Sequence, residues 1–338
     1  MRTAVVGLGF MGSTHLKALR SIPNAEIVAV CTRDAQKLQG GLSAIQGNLG
    51  GASESVDLAD VAKYHEVRQV LQDPRVEAVD ICLPTHLHAA VAIEALEAGK
   101  HVLVEKPMAL DADSARRMIS TAKRQERVLM VAHVLRFISA YEALRDLLQS
   151  DRIGGVRSAI FRRRCAAPGW GAWLADPEQS GGGVFDLLIH DIDMCLYLFG
   201  QPEMISATGH EALATGVDVI TAELYYPGDR TAIVTGGWHH PGTYPFSMEY
   251  TVVADGGTVE YNSCGRAPAW HRADGKTEPL TVAETDGYRA EVEYFLNCCE
   301  HRTSPELCPP EASADAVALA RLMLEARSKN GEKILCSL

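Results

Sequence analysis

The first 130 residues alternate short apolar runs with stretches of helical period, and the alternation opens on a glycine-rich turn. "TAVVGLG" reads as a strand, "GSTHLKALRSI" as a helix and "EIVAVCT" as a second strand. There follow the helical "KYHEVRQVLQ", the strand "VEAVDICLP", the helix "AAVAIEALEAG", the strand "HVLVEKP", the helix "DADSARRMISTAKRQ" and the strand "RVLMVAHV". That rhythm predicts a parallel sheet with helices on both faces. Asp111 is placed to cap one helix and Gly99 to close another. Between the second strand and the next helix lies a Gly- and Ser-rich segment, residues 40–56, long for an ordinary connection and without an assigned role.

After about residue 150 the rhythm changes. "VRSAIFRRR" reads as a strand and "GVFDLLIHDIDMCLYLFG" as one strong helix. Beyond it "EMISATGHEA", "VDVITAELYY", "RTAIVTGGWHH", "SMEYTVVAD" and "GTVEYN" have the close spacing of an antiparallel sheet, and "EASADAVALARLMLEARS" returns to helix. The expected class is therefore α/β. A dinucleotide-binding domain over 1–130 precedes a sheet domain over 131–310, and a terminal helix over 311–338 packs back on the body.

Gly7-x-Gly9-x-x-Gly12 follows a strand and opens a helix. The first glycine permits the tight turn, the second lets backbone approach a pyrophosphate, and the third allows helix to pack on strand. The helix N-terminus then offers N–H groups and partial positive charge to phosphates. An acidic residue at the end of the second strand would bind a ribose diol. Here the strand ends in "CTRD": Thr32 stands in the acid's place, Arg33 follows, and Asp34 lies two residues further. A small hydroxyl beside a guanidinium suits a 2′-phosphate, so NADP is favoured over NAD.

In open parallel sheets, ligands sit beyond the carboxyl ends of the strands. Lys106 is at such an end, and Pro107 biases it toward an extended conformation. Asp186 and His190 are four apart on a helical pattern, with Asp193 three further on and apolar residues between them. Carboxylate, imidazole and carboxylate on one stripe suit acid–base chemistry. They equally suit a polar network that anchors the helix or caps the Gly181–Gly183 turn.

Composition narrows the partners. The net charge of −11 in 338 residues argues against a nucleic-acid footprint. No stretch approaches the ~18 to 20 continuous apolar residues of a membrane span. The N-terminus reads as a first strand rather than a secretory signal. Nine scattered cysteines without a CxxC suit reduced thiols and a cytoplasmic location, and no metal site is expected.

"GLGFMG", "PTHLHAAVAIEALEAGKHVLVEKP" and "GGGVFDLLIHDID" resemble the glucose–fructose oxidoreductase / inositol dehydrogenase (Gfo/Idh/MocA) family, in the right order over nearly the whole chain. The resemblance implies a Rossmann domain followed by an α/β domain on a large open antiparallel sheet, used in homodimers or homotetramers. It places the catalytic lysine on Lys106 and the helix Asp and His on Asp186 and His190. Phe10, Met11, Pro84, His88 and Glu105, with the glycines, Thr32, Arg33 and Lys106, are then the expected cofactor contacts. Two departures stand out: Thr32 replaces the acid common in NAD-using members, and the segment after the second strand is long.

The expected activity is reversible oxidation of a secondary alcohol on a sugar, sugar derivative or cyclic polyol. Some relatives use transient oxidation for glycosidic cleavage, and others serve as dinucleotide-binding regulators. Retention of both the lysine and the histidine speaks against the regulator. Lys106, His133, Arg136, Trp173, Asp186 and His190 are the expected substrate contacts. Trp170, Arg163 and the loop residues His239, His240 and Tyr244 are further candidates.

Overall fold

The structure, a computed structural model, describes residues 1–42, 56–150, 152–169 and 171–338. Most of the Gly- and Ser-rich segment, and Trp170, lie outside those residues. The described chain divides into two compact units: Met1–Val134 with Asp286–Ala314, and Leu135–Thr285 with Asp315–Leu338. Neither is contiguous, whereas the boundaries expected at 130 and 310 assume contiguous domains.

The first unit is built on six parallel strands: β1 (Arg2–Val6), β2 (Glu26–Cys31), β3 (Ala62–Tyr64), β4 (Ala78–Ile81), β5 (His101–Glu105) and β6 (Leu129–Ala132). Their order is β3-β2-β1-β4-β5-β6, the order of the Rossmann fold, whose switch point lies between β1 and β4. The central strands are apolar because helices cover both faces; Ala4, Val5, Val79, Ile81, Val102, Leu103 and Val104 are wholly buried. Asp111 caps the helix Ala112–Gln125 as expected, accepting the Ser114 N–H at 2.8 Å. The stretch "KYHEVRQVLQ" divides: Ala62–Tyr64 pairs with Ala29–Cys31 as an edge strand. The helix runs only over Val67–Gln72, started by a capping box between Glu66 and Gln69. The helix Gly287–His301 packs on the helix Phe10–Ser21, so a segment remote in sequence completes this unit.

The second unit carries a nine-stranded sheet: β7 (Val156–Ala166), β8 (Met204–Ala212), β9 (Val217–Tyr225), β10 (Thr231–His240), β11 (Ser247–Ala254), β12 (Gly257–Asn262), β13 (Arg266–Arg272), β14 (Thr277–Pro279) and β15 (Ile334–Leu335). The order is β14-β13-β12-β11-β7-β10-β9-β8-β15. Every pairing is antiparallel except β7 with β10, so the expected antiparallel sheet is mixed at its centre. Along β7 the side chains alternate: Ala159, Phe161, Arg163 and Cys165 are buried, while Ile160 and Arg162 on the opposite face are exposed. The expected single helix is two pieces, a π-helical turn Val184–Leu188 running into the α-helix Ile189–Phe199.

Candidate active site

In the first unit the glycine turn has the shape its spacing predicts. Gly7 has φ +96°, and a Cβ there would meet the Cys82 carbonyl oxygen at 2.3 Å. A Cβ on Gly12 would lie 1.8 Å from the Gly7 carbonyl oxygen, so the helix rests directly on the turn. Nothing lies within 4 Å of a Cβ built on Gly9. The helix Phe10–Ser21 starts at that open point with no acidic residue in its first turn and no side-chain cap. Its N–H groups and positive end are therefore offered outward, which fits a dinucleotide diphosphate. Phe10, Met11 and Thr32 are partly exposed beside it in the same unit.

At the end of β2 the Thr32 hydroxyl accepts the Asp34 N–H at 3.3 Å. Asp34 in turn caps the short helix Ala35–Leu38, one carboxylate oxygen accepting the Gln36 N–H at 2.9 Å and the Lys37 N–H at 3.3 Å. Arg33 is held by little: its side chain is 87% exposed and 3.9 Å from Glu66.

β5 delivers Glu105 and Lys106 to the sheet's carboxyl edge, and the Lys106–Pro107 bond is cis. Lys106 is partly exposed while Glu105 and Pro107 are buried. Its backbone N–H donates to Glu105 Oε2 at 3.1 Å. His88, buried, has Nδ1 2.8 Å from the Pro107 carbonyl oxygen and Nε2 2.7 Å from that of Leu83. It thus ties the EKP turn to the loop after β4, where Pro84 precedes the helix Thr85–Glu97. Burial lowers the His88 pKa against the pull of those carbonyls. His133 is buried just past β6.

Beneath the EKP turn lies a group of ionisable side chains that the sequence reading missed. His15, wholly buried on the helix Phe10–Ser21, has Nδ1 2.9 Å from Asp80 Oδ2 and Nε2 3.1 Å from Glu105 Oε1. Burial opposes its charge, but Asp80 and its neighbours outweigh burial and raise the pKa well above its ordinary value. Glu105 is lowered: burial pushes it up, and His15 more than reverses this. The Cys82 thiol donates toward Asp80 at 3.5 Å, and burial keeps it protonated. The His15, Asp80 and Cys82 donor atoms lie within 4.8 Å of one another, a spacing that an ion pair with a thiol contact explains. Glu291, wholly buried on the helix Gly287–His301, has neither carboxylate oxygen hydrogen-bonded, and burial raises its pKa well above normal.

In the second unit Gly181 and Gly182 both have φ near +74° (74° and 73°). The Gly183 N–H donates to Asp218 Oδ2 at 2.6 Å, and Arg327 of the helix Pro310–Ser328 closes on the other Asp218 oxygen. From this clamped turn the chain enters its buried helix. Of residues 181–190 only Asp186 and His190 are not fully buried. Asp191 and Asp193, one and three residues further, are wholly buried. Asp193 is paired with Arg136, Nε at 2.9 Å and Nη2 at 2.6 Å, and Asp191 with Arg163, at 2.8 and 3.1 Å. Both pairs are buried, and they fix the rotation of the helix about its axis.

Several expectations change here. Asp193, three residues past His190 on the same helix, has its carboxylate paired with the Arg136 guanidinium. Arg136 and Arg163 are buried counter-ions of the helix, not open hydroxyl donors, and Arg136 also lies over the Tyr197 ring at 4.4 Å. Trp173 packs against Cys165, Leu174, Leu187, Leu213 and Trp238. His240 stacks on Tyr244 with 3.8 Å between centroids and 15° between planes, and His239 packs on His240.

Residues 1–133 match the family described as an oxidoreductase family with an NAD-binding Rossmann fold, and residues 141–260 match the GFO/IDH/MocA C-terminal domain. An uncharacterised oxidoreductase, ORF334, of Rhizobium meliloti is 32% identical over 238 residues, 68% of this chain and 67% of that protein. The D-glucoside 3-dehydrogenase of Escherichia coli K12 is 28% identical over 268 residues, 78% of this chain and 68% of that one. Among solved structures, levoglucosan dehydrogenase in complex with NADH superposes with TM-score 0.84 at 19% identity, covering 100% of this chain and 99% of that one. With both of its parts matched by that family's models, the chain belongs to the GFO/IDH/MocA family of oxidoreductases.

Proposed function

We propose that this protein is an NADP-preferring dehydrogenase that oxidises a secondary alcohol of a sugar, sugar derivative or cyclic polyol to the ketone, reversibly. The observation that carries the reading is the partial exposure of Asp186 and His190 within residues 181–190, whose other members are buried, in a chain that also presents Lys106 at the edge of a dinucleotide-binding sheet. The bound nicotinamide supplies the acceptor for the hydride that leaves the carbinol carbon. His190 takes the hydroxyl proton as that C–H bond breaks, and Asp186 orients the imidazole. The Lys106 ammonium hydrogen-bonds the same oxygen and stabilises its developing charge. The D-glucoside and levoglucosan relatives favour a pyranose ring as the substrate class.

Arg33, exposed and weakly engaged, is the group that meets the 2′-phosphate of NADP. Asp34, already spent as a helix cap, is poorly placed to claim a ribose diol. The open face of the nine-stranded sheet, with Ile160 and Val253 exposed, is where copies of the chain pair as a homodimer or homotetramer.

The test is a panel of sugars and polyols mixed with purified protein and each dinucleotide, followed at 340 nm. A rising absorbance matched by ketone product supports the reading. Glycoside cleavage without net reduction places the chain among redox-assisted glycosidases, and dinucleotide binding with no turnover across the panel leaves a regulator.

A further inference from the structure

We propose that His15 is a positioning residue for Lys106: a buried imidazolium that bridges Asp80 and Glu105 and so holds the Lys106 peptide in place. The inference rests on Lys106 being the catalytic lysine, as proposed above.

The geometry runs in one line. Asp80, in the middle of β4, receives His15 Nδ1 at 2.9 and 3.0 Å. The opposite nitrogen is 3.1 Å from Glu105 Oε1, and the second Glu105 oxygen accepts the Lys106 N–H at 3.1 Å. Nδ1 is hydrogen-bonded to Asp80 and Nε2 stands at ion-pair distance from Glu105, so the ring compensates both carboxylates only when it carries a proton on each nitrogen. Without it two buried carboxylates would lose their shared cation within electrostatic reach of the buried Glu291 carboxyl, a costly arrangement. The groups that meet His15 come from every element around it: Asp80 and Cys82 from the β4 end, Glu105 from β5, and Glu291 with the Tyr288 ring from the helix Gly287–His301. His15 sits on the same helix that begins at the glycine turn, so one rigid element carries both the diphosphate end and the brace for the lysine. A lysine that must meet a reacting oxygen within a few tenths of an ångström gains from such a brace; misplacement by about 1 Å costs on the order of 10²-fold in rate.

The test compares wild-type protein with His15→Leu, which removes both donors, and His15→Gln, whose carboxamide restores the donor toward Glu105. For His15→Leu we expect kcat to fall by about 30-fold or more with the dinucleotide KM within about threefold. In the ligand-free protein the Lys106 amide should exchange hydrogen about tenfold faster or more. His15→Gln should recover a good part of both. Unchanged Lys106 exchange in His15→Leu overturns the proposal, as does a raised dinucleotide KM with unchanged kcat, which assigns His15 to the glycine turn alone. Should His15→Leu fail to fold, the wild-type imidazole decides through its ¹⁵N shifts. Protons on both nitrogens at pH 8 support the brace; a neutral ring, or one chelatable metal per chain, overturns it. The exchange and ¹⁵N readings do not depend on turnover, so a Lys106→Ala protein that stays active would sink the catalytic reading without touching them.

Discussion

Arg33 is the residue on which cofactor choice turns. Its guanidinium is open to solvent, and its neighbours Thr32 and Asp34 are engaged with each other and with a helix start. Losing a charge-assisted contact to a 2′-phosphate costs about tenfold or more in affinity. Arg33→Ala should therefore weaken NADPH binding by about that factor, read by fluorescence titration, and leave NADH unchanged. Equal loss for both cofactors would remove Arg33 from the 2′ position. At this scale the sequence was most informative where a residue's role is set by its own backbone. Gly7, Gly9 and Gly12 were legible because a turn and a close approach exclude other residues. Arg136 and Asp193 were not, because which carboxylate a guanidinium finds depends on how a helix is turned in three dimensions. His15 and Asp80 left a signal that went unread: an imidazole three residues after the glycine turn on a buried helix face, and a carboxylate inside the apolar "VDICL".

Among the elements, the helix Ile189–Phe199 matters most. Two buried ion pairs set its rotation, and that rotation decides which side chains of the preceding turn reach solvent. Breaking one such pair leaves an uncompensated buried charge, at a cost of about 3–5 kcal/mol. Asp193→Asn should therefore lower the thermal midpoint by on the order of 10 °C and reduce activity with it. The double change Arg136→Met with Asp193→Leu should recover most of the lost stability, since apolar replacement of a buried pair is often neutral. A double variant no more stable than the single one would show that the pair's geometry, rather than its unpaired charge, supports the helix. Helices and strands with strong periodicity were legible from the sequence. The short edge strands β3, β14 and β15 were not, because they are defined by their neighbours: Ala62–Tyr64 is a strand only because β2 lies beside it.

Over the whole molecule, remote segments complete each unit. The parallel sheet and the antiparallel strands followed from the rhythm of the chain, and the Rossmann domain and the large second sheet from the family resemblance, but the return of residues 286–314 to the first unit did not, since nothing local announces which helix face it will cover. That return brings Glu291 within electrostatic reach of His15, Asp80 and Glu105. Burial raises the Glu291 pKa well above its ordinary value. Its raised pKa makes the fold bind more protons than the unfolded chain above the ordinary carboxyl range, so its contribution is fully present at low pH and is lost as pH rises toward the folded value. Glu291→Gln removes that linkage. The thermal midpoint of the variant minus that of wild type should grow between about pH 5 and pH 8, by roughly 3 °C or more, whatever fixed offset the amide introduces. A difference that stays flat with pH would mean that Glu291 is ionised in the fold.

Hydride transfer from a secondary alcohol assisted by Lys106 is read by the accumulation of reduced dinucleotide at 340 nm in wild-type and Lys106→Ala protein on the same substrate. The wild type should yield one reduced dinucleotide per ketone, and the variant a rate lower by about 10²-fold or more with dinucleotide binding retained. Full turnover in Lys106→Ala, or product without net reduction in the wild type, would contradict it.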